Sequence, residues 1–198
     1  MKYVNQLDYP HIPYITRTNA ADAAEREKGQ HTTIATSGCG LCSAIMVAER
    51  LLVEPNFTLE DAIRMSYDTG ANAIHGTDYE LFAPAFAERF GLIVEPTNDP
   101  ERLRRCLRTG GCAVMDSAGD SEGHIGVFSH GGHYVVIVNE QEDGRLAVLD
   151  PALKEGKYEE EGRKGKVELQ GLFILTDMQN LLDDTAPHDP RFYLFWRK

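Results

Sequence analysis

The spacing of apolar positions changes period near the middle of the chain. Apolar side chains recur at Leu41, Ala44, Ile45, Ala48, Leu51 and Leu52, a stripe of helical period over residues 41–53. Thr58, with Asp61 three positions on, caps a second predicted helix that runs to about Tyr67. "DYELFAPAFAERFG" predicts a third, stopped by Gly91, with Pro84 either in its first turns or kinking it. "DPERLRRCLRTGG" predicts a fourth, with Asp99 as its cap and Pro100 at its first position.

Beyond that block the runs shorten and become β-branched. "CAVMDS", "HYVVIV", "RLAVLD" and the closing "RFYLFWR" predict strands, and Asp143-Gly144 in "NEQEDGR" predicts a hairpin between two of them. "TDMQNLLDD" adds a late helix. Residues 18–32, "TNAADAAEREKGQHT", read as a long polar surface loop, and "GQHTTIATSG" as a short, weak strand at best. Residues 154–166, "KEGKYEEEGRKGK", read as a charged excursion, a solvated loop or an outer hairpin. Helices first and antiparallel strands second make an α+β layout rather than a wound parallel sheet. No linker, repeat or low-complexity tract divides the chain, so a single domain over residues 1–198 is expected.

Composition narrows the partners. Apolar residues make up 42% and charged residues 26%, the balance of a folded globular chain. The 20 basic and 31 acidic residues leave a net charge of −11, which disfavours nucleic acid and anionic membrane as partners. No run approaches the ~20 apolar residues of a membrane helix. "MKYVNQLDYPHIPY" lacks the apolar core of a signal peptide, so a cytoplasmic location is the default expectation. Four cysteines are too few for a disulfide scaffold at this length. Cys106 falls on the apolar side of a predicted helix and Cys112 opens a predicted strand, so both read as buried thiols.

The remaining two cysteines sit in "TIATSGCGLCSAIMVAERLL". Cys39 lies between Gly38 and Gly40 at the mouth of the first predicted helix, where small neighbours and the helix dipole favour a nucleophilic thiolate. A thiolate needs an imidazole as proton partner and a third group to orient that imidazole. His133, after paired glycines at the start of "HYVVIV", is the candidate imidazole. Asp150, at the end of the next strand in "RLAVLDP", is the candidate orienting group, because a short hairpin brings the two positions side by side.

"TIATSGCGLCSAIMV", then "GGHYVVIV", then "LAVLDP" in this order resemble the papain-like double-glycine peptidases that trim bacteriocin leaders, in their stand-alone branch. The opening "NQLDYPHIPY" is similar to that branch as well, and the resemblance covers about residues 3 to 151. It implies a papain-like cysteine proteinase fold, with a helical block whose nucleophile helix packs on a C-terminal antiparallel sheet. It implies a hydrolase acting on a peptide or protein substrate through a thioester, with no cofactor and no metal. Cys39 would be nucleophile, His133 general base and acid, and Asp150 the orienting group. The family's oxyanion donor, a Gln upstream of the Cys, maps to Gln6, with Gln30 as the other candidate. The chain departs from the branch at "GCGLCS", where relatives read Gly-Cys-Gly-Pro-Thr-Ser. A papain-type alignment of Cys-Gly-x-Cys would make Cys42 the nucleophile instead.

Other readings stay open at this stage. Cys39-x-x-Cys42 at a helix start suits a redox pair, although His133 and Asp150 would then be unexplained. Four cysteines match a zinc count, but the spacing from Cys106 to Cys112 is not a usual structural one. A catalytically silent papain-like binding domain fits the same motifs. His124 and His130 are loop histidines or cleft residues, His75 has no assigned role, and Trp196 is expected in the core.

Overall fold

The computed structural model describes residues 2–52, 56–74 and 76–198. His75 and the last position of the first predicted helix lie outside them. The α+β expectation holds: helices precede and flank a mixed-order antiparallel sheet.

The helical block comprises α1 (Ala23–Gln30), α2 (Ile34–Ser37), α3 (Cys39–Leu51), α4 (Leu59–Thr69) and α5 (Tyr79–Phe90). Helix α3 starts at Cys39 itself, and all of it except Glu49 and Arg50 in its last turn is buried. It is therefore apolar nearly all round, the mark of a helix at the centre of a core rather than on its surface. The predicted capping box forms at α4, where Thr58 Oγ1 accepts from the Asp61 N–H and Asp61 Oδ2 accepts from the Thr58 N–H. Gly70 and Gly91 end α4 and α5 in left-handed backbone, as a helix stop requires. Pro84 lies inside α5.

Two sequence expectations fail in this region. Residues 18–32 hold α1, capped by Asp22, whose carboxylate accepts from the Ala24 and Glu25 N–H groups. Its weak apolar face hides it from periodicity. Residues 34–37, expected at best as a strand, form the helical turn α2, which runs into α3 through Gly38. A Cβ on Gly38 would lie 2.6 Å from the Ile34 carbonyl oxygen, so only glycine fits the joint.

The sheet has the order β1-β7-β2-β3-β4-β6-β5, from β1 (Leu92–Thr97), β2 (Cys112–Ser117), β3 (His133–Glu140), β4 (Leu146–Leu149), β5 (Val167–Gln170), β6 (Phe173–Thr176) and β7 (Phe192–Arg197). Its pairings among the described residues are all antiparallel. Strand β1 was not foreseen: it follows α5 inside the helical block and pairs with the C-terminal strand β7. The β5–β6 hairpin was not foreseen either. Helix α6 (Pro100–Arg108) and the late helix α7 (Met178–Asp184) are present, α6 capped by Asp99.

Alternate residues of the central strands feed two cores. Cys112 and Val114, Tyr134 and Val136, and Tyr193 and Phe195 pack with α3, α4 and α5. Ala113 and Met115, Val135 and Ile137, and Phe192 and Leu194 pack with α6 and α7. Burial on both faces explains why these strands read as continuous apolar runs rather than alternating ones. Trp196 is half-buried against the second core.

Residues 154–166 correct the picture of a solvated excursion. They contain a short 3-10 turn, Lys157–Glu159, in which Lys157 and Tyr158 are buried, and Arg163 is buried just beyond it.

Candidate active site

The start of α3 is placed by contacts that surround it. Tyr79, fully buried, donates its hydroxyl to the Gly40 carbonyl at 2.7 Å. A Cβ on Gly40 would meet Thr77 Cβ at 2.8 Å and the Tyr79 ring at 3.0 Å, so the glycine allows α3 to approach this wall. Ser43 Oγ donates to the Tyr134 carbonyl at 3.4 Å, which ties the helix to the second residue of β3, next to His133.

His133 and Asp150 meet as the hairpin reading required. Val136 pairs with Leu149, so Asp150, one position past β4, comes beside the start of β3. The loop between the strands closes with the Gln141 N–H on the Arg145 carbonyl, and Gly144 takes positive φ. His133 Nε2 and Asp150 Oδ1 are 2.7 Å apart, and both side chains are buried. Burial alone would push the imidazole down. The Asp150 carboxylate outweighs it, the neighbouring Cys39 thiol pushes the same way, and together they bring His133 up to about 9. With Nε2 committed to Asp150, Nδ1 is the ring nitrogen left for another partner.

Asp150 is saturated. Burial would raise its pKa, but His133 and then Lys157 hold it well below the usual carboxylate range. Its Oδ1 also accepts the Ala152 N–H at 2.8 Å, and its Oδ2 accepts Lys157 Nζ at 2.5 Å and the Tyr158 hydroxyl at 2.7 Å. Sequence reading missed these two donors. The one signal for them was a lone aromatic, Tyr158, within an otherwise charged stretch.

Cys39 and His133 open together into a cleft of about 650 Å³. Its walls include Asp78, Glu80, Asp116, Tyr134, Asp189 and Tyr193, and no lysine or arginine among the described lining residues. Gly132 also lines it, and a Cβ there would meet nothing within 4 Å, so the paired glycines leave open space before His133. Cys42, one helical turn on, is fully buried in the core, and burial pushes its thiol well up. All four cysteines are free. Cys106 and Cys112 are buried as expected.

Gln6 is not among the residues that line the cleft. It is buried, its Nε2 donates to the Ala35 carbonyl in α2 at 2.8 Å, and its Oε1 is buried without a partner. Its backbone N–H donates to the Pro151 carbonyl, Tyr3 Oη donates to the Asp150 carbonyl, and Asn5 Nδ2 donates to the Leu153 carbonyl. The N-terminal segment thus stitches the turn after Asp150 to the turn before Cys39. Gln30 is exposed at the end of α1.

His124 and His130 serve the loop before His133 and do not line the cleft. His124 bonds the buried Asp184, which also accepts from Ser117 Oγ and the Val127 and Phe128 N–H groups. His130 bonds Asp120 and Glu160.

No family model matches the chain, and no curated protein does. Among solved structures, the chain is similar to one from Bacillus anthracis described as a "putative C39-like peptidase", at a TM-score of 0.55 and 10% identity. The match covers 82% of this chain and 90% of that one. At that identity the likeness is one of fold: helices and an antiparallel sheet arranged as in a C39-like peptidase.

Proposed function

We propose that this protein is a papain-like cysteine peptidase of the double-glycine type, in which Cys39 attacks the scissile carbonyl, His133 moves the proton and Asp150 orients the ring. The observation that carries the reading is the junction of Cys39 and His133 at one cleft, with His133 backed by a buried carboxylate at 2.7 Å. Cys39 is favoured over Cys42 because it lines the cleft, whereas Cys42 faces the core. The fold likeness to a C39-like peptidase supports the same class.

The chemistry follows from the proton positions. His133 Nδ1 takes the Cys39 proton, and an imidazolium beside the sulfur stabilises the thiolate. The thiolate adds to the carbonyl carbon, and the tetrahedral oxyanion collapses as the C–N bond breaks. The imidazolium gives its proton to the leaving amine, which departs and leaves a thioester. Water then attacks the thioester and gives a proton to His133, the C–S bond breaks to release the carboxylic acid, and the imidazolium returns its proton to the Cys39 sulfur. Asp150 holds the ring and balances its charge in both half-reactions. Gln6 is the proposed oxyanion donor: its amide spends one N–H on the Ala35 carbonyl in the turn that leads into Cys39 and keeps a second N–H to donate.

The cleft walls are acidic, so peptides with basic residues beside the scissile bond should be preferred. Incubation of the protein with a mixed peptide library, followed by mass spectrometry, tests both points. Cleavage that favours lysine or arginine neighbours and vanishes in Cys39→Ala is the expected result. Cleavage that persists in Cys39→Ala overturns the nucleophile assignment. Peptide retention without cleavage by either protein marks a silent binding domain.

A further inference from the structure

We propose that Lys157, seconded by Tyr158, is a positioning residue that acts on His133 through Asp150. The inference rests on the reading of Cys39, His133 and Asp150 as the reactive centre, and it is carried by the geometry around the carboxylate. Oδ1 faces the imidazole and the Ala152 N–H, while Oδ2 is held by Lys157 Nζ at 2.5 Å and the Tyr158 hydroxyl at 2.7 Å. Two donors on one oxygen fix the plane of the carboxylate and so the direction of the lone pair that meets Nε2. Without them, Asp150 has only the Ala152 N–H besides the ring to set its rotation.

The burial of the lysine makes an incidental contact a poor account. Lys157 is 5% exposed, and a buried ammonium is tolerated only when paired. Its hydrogen-bond partners are the Asp150 carboxylate and the Ala152 carbonyl. The segment that carries it is anchored beneath the site: Arg163 Nε donates to the Gly126 carbonyl at 2.8 Å, and Lys166 Nζ to the Ile125 carbonyl at 3.1 Å. Both carbonyls belong to the loop that leads into His133. One segment therefore braces the orienting carboxylate and the approach to the imidazole together.

A charge sharing follows. Asp150 carries one negative charge facing two cations when His133 is protonated. Lys157 draws part of that field, so the imidazolium is held less firmly than a carboxylate alone would hold it. The other groups around this set are Cys39 on His133, Tyr3 near Tyr158, and Arg163 and Lys154 near Lys157. All of them except the lysine are kept in Lys157→Met.

The test is an NMR titration of the His133 ring in the full chain, with the rate of Cys39 alkylation by iodoacetamide measured on the same samples. In Lys157→Met the His133 midpoint should rise by roughly one pH unit, the size expected for loss of one nearby cation. The alkylation rate should fall at least about tenfold as the ring loses its fixed direction. Lys157→Arg keeps the charge and should stay within a few tenths of a unit of wild type. A folded Lys157→Met with an unmoved midpoint overturns the proposal, since a merely structural lysine would change stability and leave the titration alone. If Lys157→Met does not fold, Lys157→Gln, which removes the charge and keeps a donor, decides: a raised midpoint supports the coupling, and an unchanged one refutes it. Wild-type protein whose Cys39 resists alkylation would fail the peptidase reading, while the titration would still judge the lysine.

Discussion

Replacing His133 by glutamine should change how stability depends on pH, and the size of the effect follows from the buried pair. In the folded chain the imidazole titrates near 9, against an ordinary value of 6.5. A raised folded-state pKa contributes stability that is complete below 6.5, declines between 6.5 and 9, and is absent above. Each unit is worth about 1.4 kcal/mol, so the contribution lost between pH 6 and pH 9 is about 3 kcal/mol. Asp150 is held ionised well below this window and adds no slope of its own. Urea unfolding of wild type and His133→Gln at both pH values isolates the effect, because other titrations largely cancel in the difference. The stability gap between the two proteins should narrow by about 3 kcal/mol from pH 6 to pH 9. A gap that is flat across that range would refute the claim that Asp150 and Cys39 hold the ring protonated.

Two further outcomes follow from the surroundings of α3. Gln6→Ala should lower kcat roughly 100-fold and leave KM within a few-fold, as loss of an oxyanion donor does, measured on any peptide the enzyme cleaves. An unchanged kcat would return Gln6 to a purely structural role between the Ala35 and Pro151 carbonyls. Gly40→Ala places a Cβ 2.8 Å from Thr77 Cβ and 3.0 Å from the buried Tyr79 ring. Overpacking of about 1–3 kcal/mol should exceed the helix-propensity gain of up to ~1 kcal/mol, so the urea midpoint should fall, and a rise would show that the wall can yield.

The candidate site was more legible in the sequence than its support. Cys39, His133 and Asp150 each sit at a local signal that is weak alone and gains weight from its order along the chain: a glycine-flanked helix start, a strand start after glycines, and a strand end before proline. Bringing them together needed only one hairpin and one helix packed on a sheet. Lys157 and Tyr158 were hidden because charge density reads as solvation, and only tertiary contact shows that one ammonium answers one buried carboxylate. Helix α1 was hidden for a related reason: its first turn is held by the Asp22 cap, and its side chains are nearly all exposed. Strand β1 was missed because it follows α5 directly, and its partner β7 lies at the far end of the chain. Sheet order of that kind is a long-range property that no local period carries. The cleft's acidic walls were likewise invisible, since Asp78, Asp116 and Asp189 come from three separate segments.

The proposed chemistry stands on Cys39 as the reactive thiol and His133 as its proton partner. Intact-mass and peptide mapping after brief treatment with iodoacetamide at neutral pH tests it on wild type, Cys39→Ala, Cys42→Ala and His133→Ala. The expected result is a single fast adduct on Cys39 in wild type and Cys42→Ala, none in Cys39→Ala, and labelling slowed at least about tenfold in His133→Ala. Fast labelling of Cys42, or equal labelling of Cys39→Ala and wild type, would contradict it.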